Sequence, residues 1–124
     1  MNDTDAHVTL VTAGARRVGS AIVRELHAAG DRIILHCRES REAADTLASE
    51  LNAVRPDSVT VLQADLKDAA ERDQLITGAI QRWGRLDGLV NNASTFYPSP
   101  VGNVSESVWD DLVDVNLKAP FFLA

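Results

Sequence analysis

Two kinds of hydrophobic pattern alternate along this chain, and the alternation restricts the folds it can adopt. Four short apolar or β-branched runs have the length and composition of buried strands: residues 8–12, 32–37, 58–63 and 86–91. Segments with helical periodicity follow them, over 16–29, 39–54, 68–83 and from 105–107 to the last residue. Strand–helix–strand repeats with short connections join parallel strands through right-handed crossovers. The predicted fold class is therefore α/β, with a doubly wound parallel sheet.

The same patterns predict which side chains are buried. In the first helix, Val18, Ile22 and Leu26 recur every fourth residue and form one apolar stripe that we expect to face the sheet. His27 lies outside that stripe and is expected at the surface. Cys37, the only cysteine, is expected to be a buried apolar filler.

Composition excludes several classes of function. The net charge of −6 argues against general nucleic-acid binding. The apolar runs are too short to span a membrane, and the first eight residues are too polar and acidic for a secretory signal. A single cysteine fits a reducing compartment. We expect a cytoplasmic protein with no membrane or nucleic-acid partner and no metal site.

The turn after the first predicted strand has the features of a phosphate-binding loop. It reads TAGARRVG over 12–19, with Gly14 and Gly19 as its smallest residues. Arg16 and Arg17 follow at a helix start, where the helix dipole does not favour cations, so a nearby anionic ligand would explain them. The alternative is an ordinary strand-to-helix turn with two solvated arginines.

Five segments in order along the chain carry a family resemblance. They are TAGARRVG, LHCRES after the second strand, QADL after the third, NNASTFYPSP after the fourth, and DVNLKAPFF near the end. Together they resemble the short-chain dehydrogenase/reductases, and more narrowly the pteridine reductases. The resemblance implies a Rossmann-type fold, an NADPH cofactor, and reduction of a small molecule, a pterin or dihydrofolate, by hydride transfer. It also implies a homo-oligomer, with a tetramer as the expected assembly.

The resemblance further implies a set of cofactor-binding residues. Asp65 and Leu66 match the adenine-binding pair, and Asn92 and Ala93 match residues at the ribose, whereas Ala13 stands where the family usually has glycine. The full expected set is Gly14, Arg16, Arg17, Val18, Gly19, His36, Arg38, Ser40, Asp65, Leu66, Asn92, Ala93 and Ser94.

The end of the second strand bears on which dinucleotide is bound. NAD-specific members hold the ribose hydroxyls with an acidic residue at this point. Here Arg38 can pair with a 2′-phosphate and Ser40 can donate to it, while Glu39 can face outward from the helix start. NADPH is therefore the expected cofactor. His36 is either a strand residue or a neighbour of the 2′-phosphate.

The resemblance also assigns substrate contacts. Arg17 matches a residue near both cofactor and substrate, Ser94 one that hydrogen-bonds both, and Phe96 one that stacks on the pterin. A flat heterocycle favours an aromatic face with a few polar edge contacts. The alternative for Phe96 is a loop aromatic packed on the core.

Asn116 is the expected catalytic residue within these 124 residues. Pro120, four positions later, lacks an N–H, so the Asn116 carbonyl loses its intrahelical partner and can hold a water. This matches the family's proton relay and predicts a helix that continues, kinked, past Pro120. The alternative is that Pro120 simply ends the helix.

The family's proton donor, a tyrosine followed by a lysine four positions later, has no match here. Tyr97 is the only tyrosine, and Val101 occupies the lysine position. We therefore expect residues 1–124 to be the N-terminal part of one NADP-binding domain, truncated after the fourth strand and following helix, and inactive alone. Two other readings remain open: a reductase of another carbonyl substrate such as a 3-oxoacyl thioester, and a non-catalytic dinucleotide-binding module.

Overall fold

A computed structural model describes residues 6–94 and 100–124. Strands and helices alternate as the sequence predicts. In chain order they are β1 (Val8–Val11), α1 (Arg17–Ala28), β2 (Arg32–Cys37), α2 (Arg41–Val54), β3 (Val59–Gln63), α3 (Ala69–Trp83), β4 (Gly88–Val90), α4 (Glu106–Val113), a π-helical turn (Asp114–Lys118) and α5 (Ala119–Leu123).

The four strands form one parallel sheet in the order β3-β2-β1-β4. The chain moves from β1 outward through β2 to β3, then returns to place β4 on the other side of β1. The strand order therefore reverses between β1 and β4, and ligands bind at the carboxyl ends of strands at such a switch point. The predicted doubly wound, Rossmann-type α/β fold is confirmed.

The side chains of alternate strand residues pack into two hydrophobic cores, one on each face of the sheet. Ile33 and Leu35 of β2 pack with α1 and α2, including Leu47. Ile34, between them in sequence, packs on the other face with Leu75 of α3. This alternation follows from the two-residue period of a strand, and burial on both faces explains why the strands are apolar almost throughout.

The buried face of α1 differs from the predicted one. Gly19, Val23 and His27 are its buried residues, whereas Val18 is 65% exposed and Ile22 and Leu26 are only partly buried. The surface prediction for His27 is wrong, because its Nε2 lies 2.7 Å from the Ser58 Oγ and this partner satisfies the buried ring. Glycine and histidine carry little apolar signal, so the periodicity assigned the wrong stripe.

The C-terminal helical region continues past Pro120, as expected. The Ser105 side chain accepts the Val108 N–H at 3.2 Å and caps α4. The Ala119 N–H donates to the Asp114 carbonyl, a five-residue spacing that widens the helix just before the proline. The prediction that the helix continues past Pro120 is thus confirmed, and a π-helical turn lies just before the proline.

Candidate cofactor-binding site

A cleft of about 460 Å³ opens at the carboxyl ends of β1, β2 and β4. It brings together segments that are far apart in sequence: the turn after β1, the connection from β2 to α2, and the residues after β4. Of the expected cofactor residues, those lining it are Arg16, Arg17, Val18, Gly19, Arg38, Ser40, Asn92 and Ser94. Ala13, Ala15, Cys37 and Glu39 complete the lining.

Thr12, directly after β1, forms hydrogen bonds to β4 and to the residues that follow it. Its Oγ1 accepts the backbone N–H groups of Asn92 and Ala93, each at 2.9 Å, and lies 3.3 Å from the Val90 carbonyl oxygen. This single hydroxyl therefore fixes the path of the chain as it leaves β4. Sequence reasoning did not single out Thr12, although a threonine directly after a buried strand was a usable signal.

The glycine turn is held by a close approach between its two ends. Ala13 has φ of 51°, in the left-handed region, and its carbonyl accepts a hydrogen bond from Asn92 Nδ2 at 3.1 Å. A side-chain carbon at Gly19 would lie 2.1 Å from that carbonyl oxygen. Glycine at position 19 thus lets the first turn of α1 pack against the loop.

The start of α1 is suited to an anion. Arg16 is the N-cap residue of α1; its backbone is extended and its side chain forms no capping hydrogen bond. Arg17, the first residue of the helix, has φ of 51°. The first turn of α1 contains no acidic residue. Both arginines are exposed and line the cleft. Helix N–H groups and two guanidinium groups therefore face the same space, as phosphate binding requires.

Both charged residues at the end of β2 lie at the cleft. Arg38 is exposed, with its Nε 4.0 Å from the Asp65 Oδ1, and its carbonyl accepts a hydrogen bond from Gln63 Nε2 at 2.8 Å. Glu39 lines the cleft beside it. Glu39 is also exposed, at the point where the chain turns before α2 begins at Arg41.

The structure removes His36 from the set of direct cofactor contacts. Its ring is 1% exposed; Nδ1 accepts the Ala13 N–H at 2.9 Å, and Nε2 donates to the Ala64 carbonyl at 2.8 Å. Burial lowers the pKa of His36 from 6.5, and the bond to the Ala64 carbonyl opposes that shift. Of the two alternatives, His36 is the strand residue, since neither ring nitrogen is available to a 2′-phosphate.

Gly14, Asp65, Leu66 and Ala93 lie near the cleft without lining it. Gly14 is buried beneath the turn, where an added side-chain carbon would lie 3.0 Å from Val23 Cγ2. Leu66 is 5% exposed and belongs to the core next to α3. The carboxylate of Asp65 accepts the Lys67 N–H at 3.0 Å, which shapes the segment after β3.

The predicted substrate side is only partly within the described residues. Ser94 is exposed and lines the cleft with Arg17. Phe96 lies outside the described residues. Asn116 has an exposed side chain in the π-helical turn and is not among the residues lining the cleft.

Two kinds of feature are absent from the described part of the chain. Residues 6–94 and 100–124 contain no group of three or more His, Cys, Asp or Glu side chains arranged to hold a metal ion. Nor do these two ranges contain a helix that combines the length and hydropathy of a membrane span.

A parallel sheet whose order reverses beside a glycine turn, with cationic residues at a helix start, defines a nucleotide-binding α/β protein. The chain belongs to the short chain dehydrogenase family, whose model matches residues 7–124. This family binds nicotinamide dinucleotide cofactors and its members are oxidoreductases.

Individual relatives differ in what they reduce. The chain is 40% identical to pteridine reductase 1 of Leishmania tarentolae, with 95% of the chain and 52% of the relative covered. It is 34% identical to a short-chain dehydrogenase/reductase of Pestalotiopsis microspora, over 97% of the chain and 45% of the relative. It is also 34% identical to the 3-oxoacyl-(acyl-carrier-protein) reductase FabG of Staphylococcus aureus, over 90% and 45%. The chain thus spans about half the length of these relatives.

Proposed function

We propose that the protein is an NADPH-dependent reductase of a pterin or dihydrofolate, in which residues 1–124 form the cofactor-binding part of a single domain. The observation that carries the proposal is the placement of Arg17 and Ser94 on one cleft at the switch point of the sheet. These are the two described residues expected to contact both cofactor and substrate. The 40% identity to a pteridine reductase supports the same substrate class.

The described cleft fits a dinucleotide. Gly19 lets the first turn of α1 pack against the Ala13 carbonyl, and Arg16 and Arg17 offer positive charge beside the helix N–H groups. In the proposal these groups hold the pyrophosphate, and Asn92, Ala93 and Ser94 hold the ribose and nicotinamide end. Gly14 and Val18 shape the turn, while Asp65 and Leu66 border the adenine. The bound cofactor supplies the hydride, and the chain orients it.

Arg38 and Ser40 support NADPH over NADH. A guanidinium group can form paired hydrogen bonds to a 2′-phosphate, and the Ser40 hydroxyl can add another. Glu39 at the same cleft opposes this preference, since a carboxylate repels the phosphate. The proposal is tested by the Kd values of NADPH and NADH for this chain, measured by quenching of intrinsic fluorescence. We expect NADPH to bind at least tenfold more tightly; equal Kd values would contradict the cofactor assignment.

Proton delivery is assigned only in part. We propose that the Asn116 backbone carbonyl holds a water of the proton relay, and that Phe96 stacks on the pterin. Because Tyr97 is the only tyrosine and Val101 follows it four positions later, these 124 residues lack the pattern of the family's proton donor. We therefore propose that the chain alone binds cofactor without turning over substrate.

A second candidate substrate is a 3-oxoacyl thioester, favoured by the 34% identity to a 3-oxoacyl-(acyl-carrier-protein) reductase. Turnover by the whole protein with NADPH separates the two. We expect oxidation of NADPH with 7,8-dihydrobiopterin or dihydrofolate and little with an acetoacetyl thioester. The reverse result would replace the pterin assignment, and turnover of neither would favour a non-catalytic dinucleotide-binding module.

We further propose a homotetramer in the cytoplasm. Trp109, Leu117, Phe121 and Phe122 on the C-terminal helical region are each more than 60% exposed, which is an unusual amount of large apolar surface. Sedimentation equilibrium of the whole protein tests the assembly, and a monomer at micromolar concentration would contradict it. Cell fractionation tests the location.

A further inference from the structure

His36 connects the glycine turn, which lines the cofactor cleft, to the segment that follows β3. Its backbone and side chain bind two consecutive N–H groups of the glycine turn: the Ala13 N–H donates to Nδ1 at 2.9 Å, and the Gly14 N–H donates to the His36 carbonyl at 3.0 Å. Its Nε2 reaches the Ala64 carbonyl, after β3, at 2.8 Å. His36 lies on β2, between β1 and β3 in the sheet, and thus joins the segments that follow those two strands.

The chemistry of the two partners fixes the state of the ring. A backbone N–H can only donate, so Nδ1 must be unprotonated; a carbonyl can only accept, so Nε2 must carry the hydrogen. The bridge that the His36 ring forms between Ala13 and Ala64 therefore requires the neutral Nε2–H tautomer. Burial to 1% exposure lowers the pKa of His36 and keeps the ring neutral at physiological pH.

Ala13 needs such support, because its backbone adopts a conformation that alanine disfavours. Its φ of 51° costs free energy for a residue with a Cβ. Its N–H is held by His36 and its carbonyl by Asn92 Nδ2 at 3.1 Å, so the residue is clamped from both sides. The same carbonyl lies against Gly19, so a movement of Ala13 is transmitted directly to the start of α1.

We propose that His36, in its neutral Nε2–H form, is a positioning residue of the cofactor site, which holds Ala13 in its left-handed conformation and thereby sets the turn that receives the pyrophosphate. The inference rests on the proposed dinucleotide function. His36 itself does not touch the cofactor, and it acts through Ala13 and the first turn of α1.

Protonation of His36 removes this support. An imidazolium carries a hydrogen on Nδ1, which would then face the Ala13 N–H, and two donors cannot bond to each other. Charged residues on the segments around His36 include Arg16 and Arg17 after β1, Arg38 and Glu39 after β2, and Asp65, Lys67, Asp68, Glu71 and Arg72 after β3. The described partners of the nearest of them lie elsewhere: Glu71 accepts the Asp65 N–H, and Arg72 donates to the Leu66 carbonyl. The protonated ring therefore has no carboxylate bound to either nitrogen.

His27 provides a matched control. It is also buried, at 3% exposure, and burial also lowers its pKa. It lies at the end of α1 against Ser58, at the opposite edge of the sheet from the cleft. Replacing either histidine by phenylalanine keeps an aromatic ring of similar size and removes the ring nitrogens. Comparing the two variants therefore separates the effect of losing any buried histidine from the effect of losing the hydrogen bonds of His36 to Ala13 and Ala64.

The experiment measures the Kd of ADP-ribose by calorimetry, from about pH 7.5 to about pH 5.5, for the unaltered chain, His36→Phe and His27→Phe. ADP-ribose has the pyrophosphate but lacks the 2′-phosphate of NADPH, which itself titrates at about pH 6. We expect His36→Phe to raise the Kd about fivefold at the upper pH, the size of one lost hydrogen bond, with no further rise on acidification. The unaltered chain and His27→Phe should bind alike at the upper pH, and any weakening of the unaltered chain on acidification should be absent from His36→Phe.

The positioning role is overturned if His36→Phe binds as tightly as the unaltered chain, or if acidification weakens binding by both chains to the same extent. Should that variant not fold, nitrogen-15 spectra of the unaltered chain decide the matter. The Ala13 amide resonance must then shift with the same midpoint as the His36 ring, and a stationary Ala13 resonance would overturn the proposal. If the chain binds neither ADP-ribose nor NADPH, the dinucleotide function is contradicted instead. The nitrogen-15 spectra still test whether His36 holds Ala13.

Discussion

Gly19 and Ala13 approach so closely that a side-chain carbon on Gly19 would lie 2.1 Å from the Ala13 carbonyl oxygen. We therefore expect Gly19→Ala to displace the start of α1 from the turn and to weaken NADPH binding at least tenfold. Binding is measured by fluorescence titration. Gly78→Ala on α3 is the control, since its added carbon meets only a Leu62 methyl group at 3.3 Å. Unchanged NADPH binding by Gly19→Ala would show that the glycine turn can shift to make room for the added carbon without loss of the site.

Thr12 offers a second test, of stability rather than binding. Thr12→Val keeps the shape of the side chain but removes the acceptor for the Asn92 and Ala93 N–H groups. We expect a loss of about 1–3 kcal/mol in the free energy of unfolding, measured in urea. Thr12→Ser retains the hydroxyl and should lose much less. Equal losses in the two variants would mean that the methyl group, not the hydroxyl, matters at this position.

Arg38 is expected to select the cofactor. Arg38→Gln should raise the Kd of NADPH by about 10- to 100-fold, because charge-assisted hydrogen bonds to the 2′-phosphate are lost, and change that of NADH little. Arg41→Gln is the matched control: Arg41 pairs with Asp45 at 3.1 Å and does not line the cleft. A similar change for both dinucleotides would exclude recognition of the 2′-phosphate by Arg38.

Glu39 should act in the opposite direction. Removing its charge in Glu39→Gln takes a carboxylate away from the cleft and should tighten NADPH binding a few-fold while weakening or sparing NADH. The ratio of the two Kd values is the quantity to follow. An unchanged ratio would show that the Glu39 carboxylate does not sense the bound phosphate.

The two buried histidines predict a decline of stability in mild acid. Burial lowers the pKa of both His27 and His36 below 6.5, so unfolding takes up protons as the pH falls. Stability is therefore fully present above about pH 6.5 and is lost progressively below it, until each folded-state pKa is passed. Urea unfolding at a series of pH values measures this decline. His27→Phe should make it shallower, and an equally steep decline in that variant would contradict the assignment to His27.

The sheet and its order could be predicted because strand and helix periodicities are encoded locally and parallel crossovers have one hand. The placement of Arg16, Arg17, Arg38 and Ser94 at one cleft also followed, since carboxyl ends of parallel strands meet at one edge.

What sequence could not supply was the partner of each polar group. The burial of His27 depends on Ser58, which is 31 residues away, and the role of His36 depends on Ala13 and Ala64. The place of Glu39 in the cleft lining was not predicted either, because the path of a short connection depends on the packing of the helix that follows it. The roles proposed for Phe96 and Asn116 remain predictions.

The bonds from Thr12 to the residues after β4 span 80 and 81 positions of sequence. Closing so large a loop is entropically costly and slow compared with pairing β1, β2 and β3, which are neighbours in the chain. From loop closure alone, we expect β4 to dock after β1, β2 and β3 have paired, so that the wall of the cleft formed by the residues after β4 is completed last. A nucleotide bound across the cleft would then stabilise the docked state of β4.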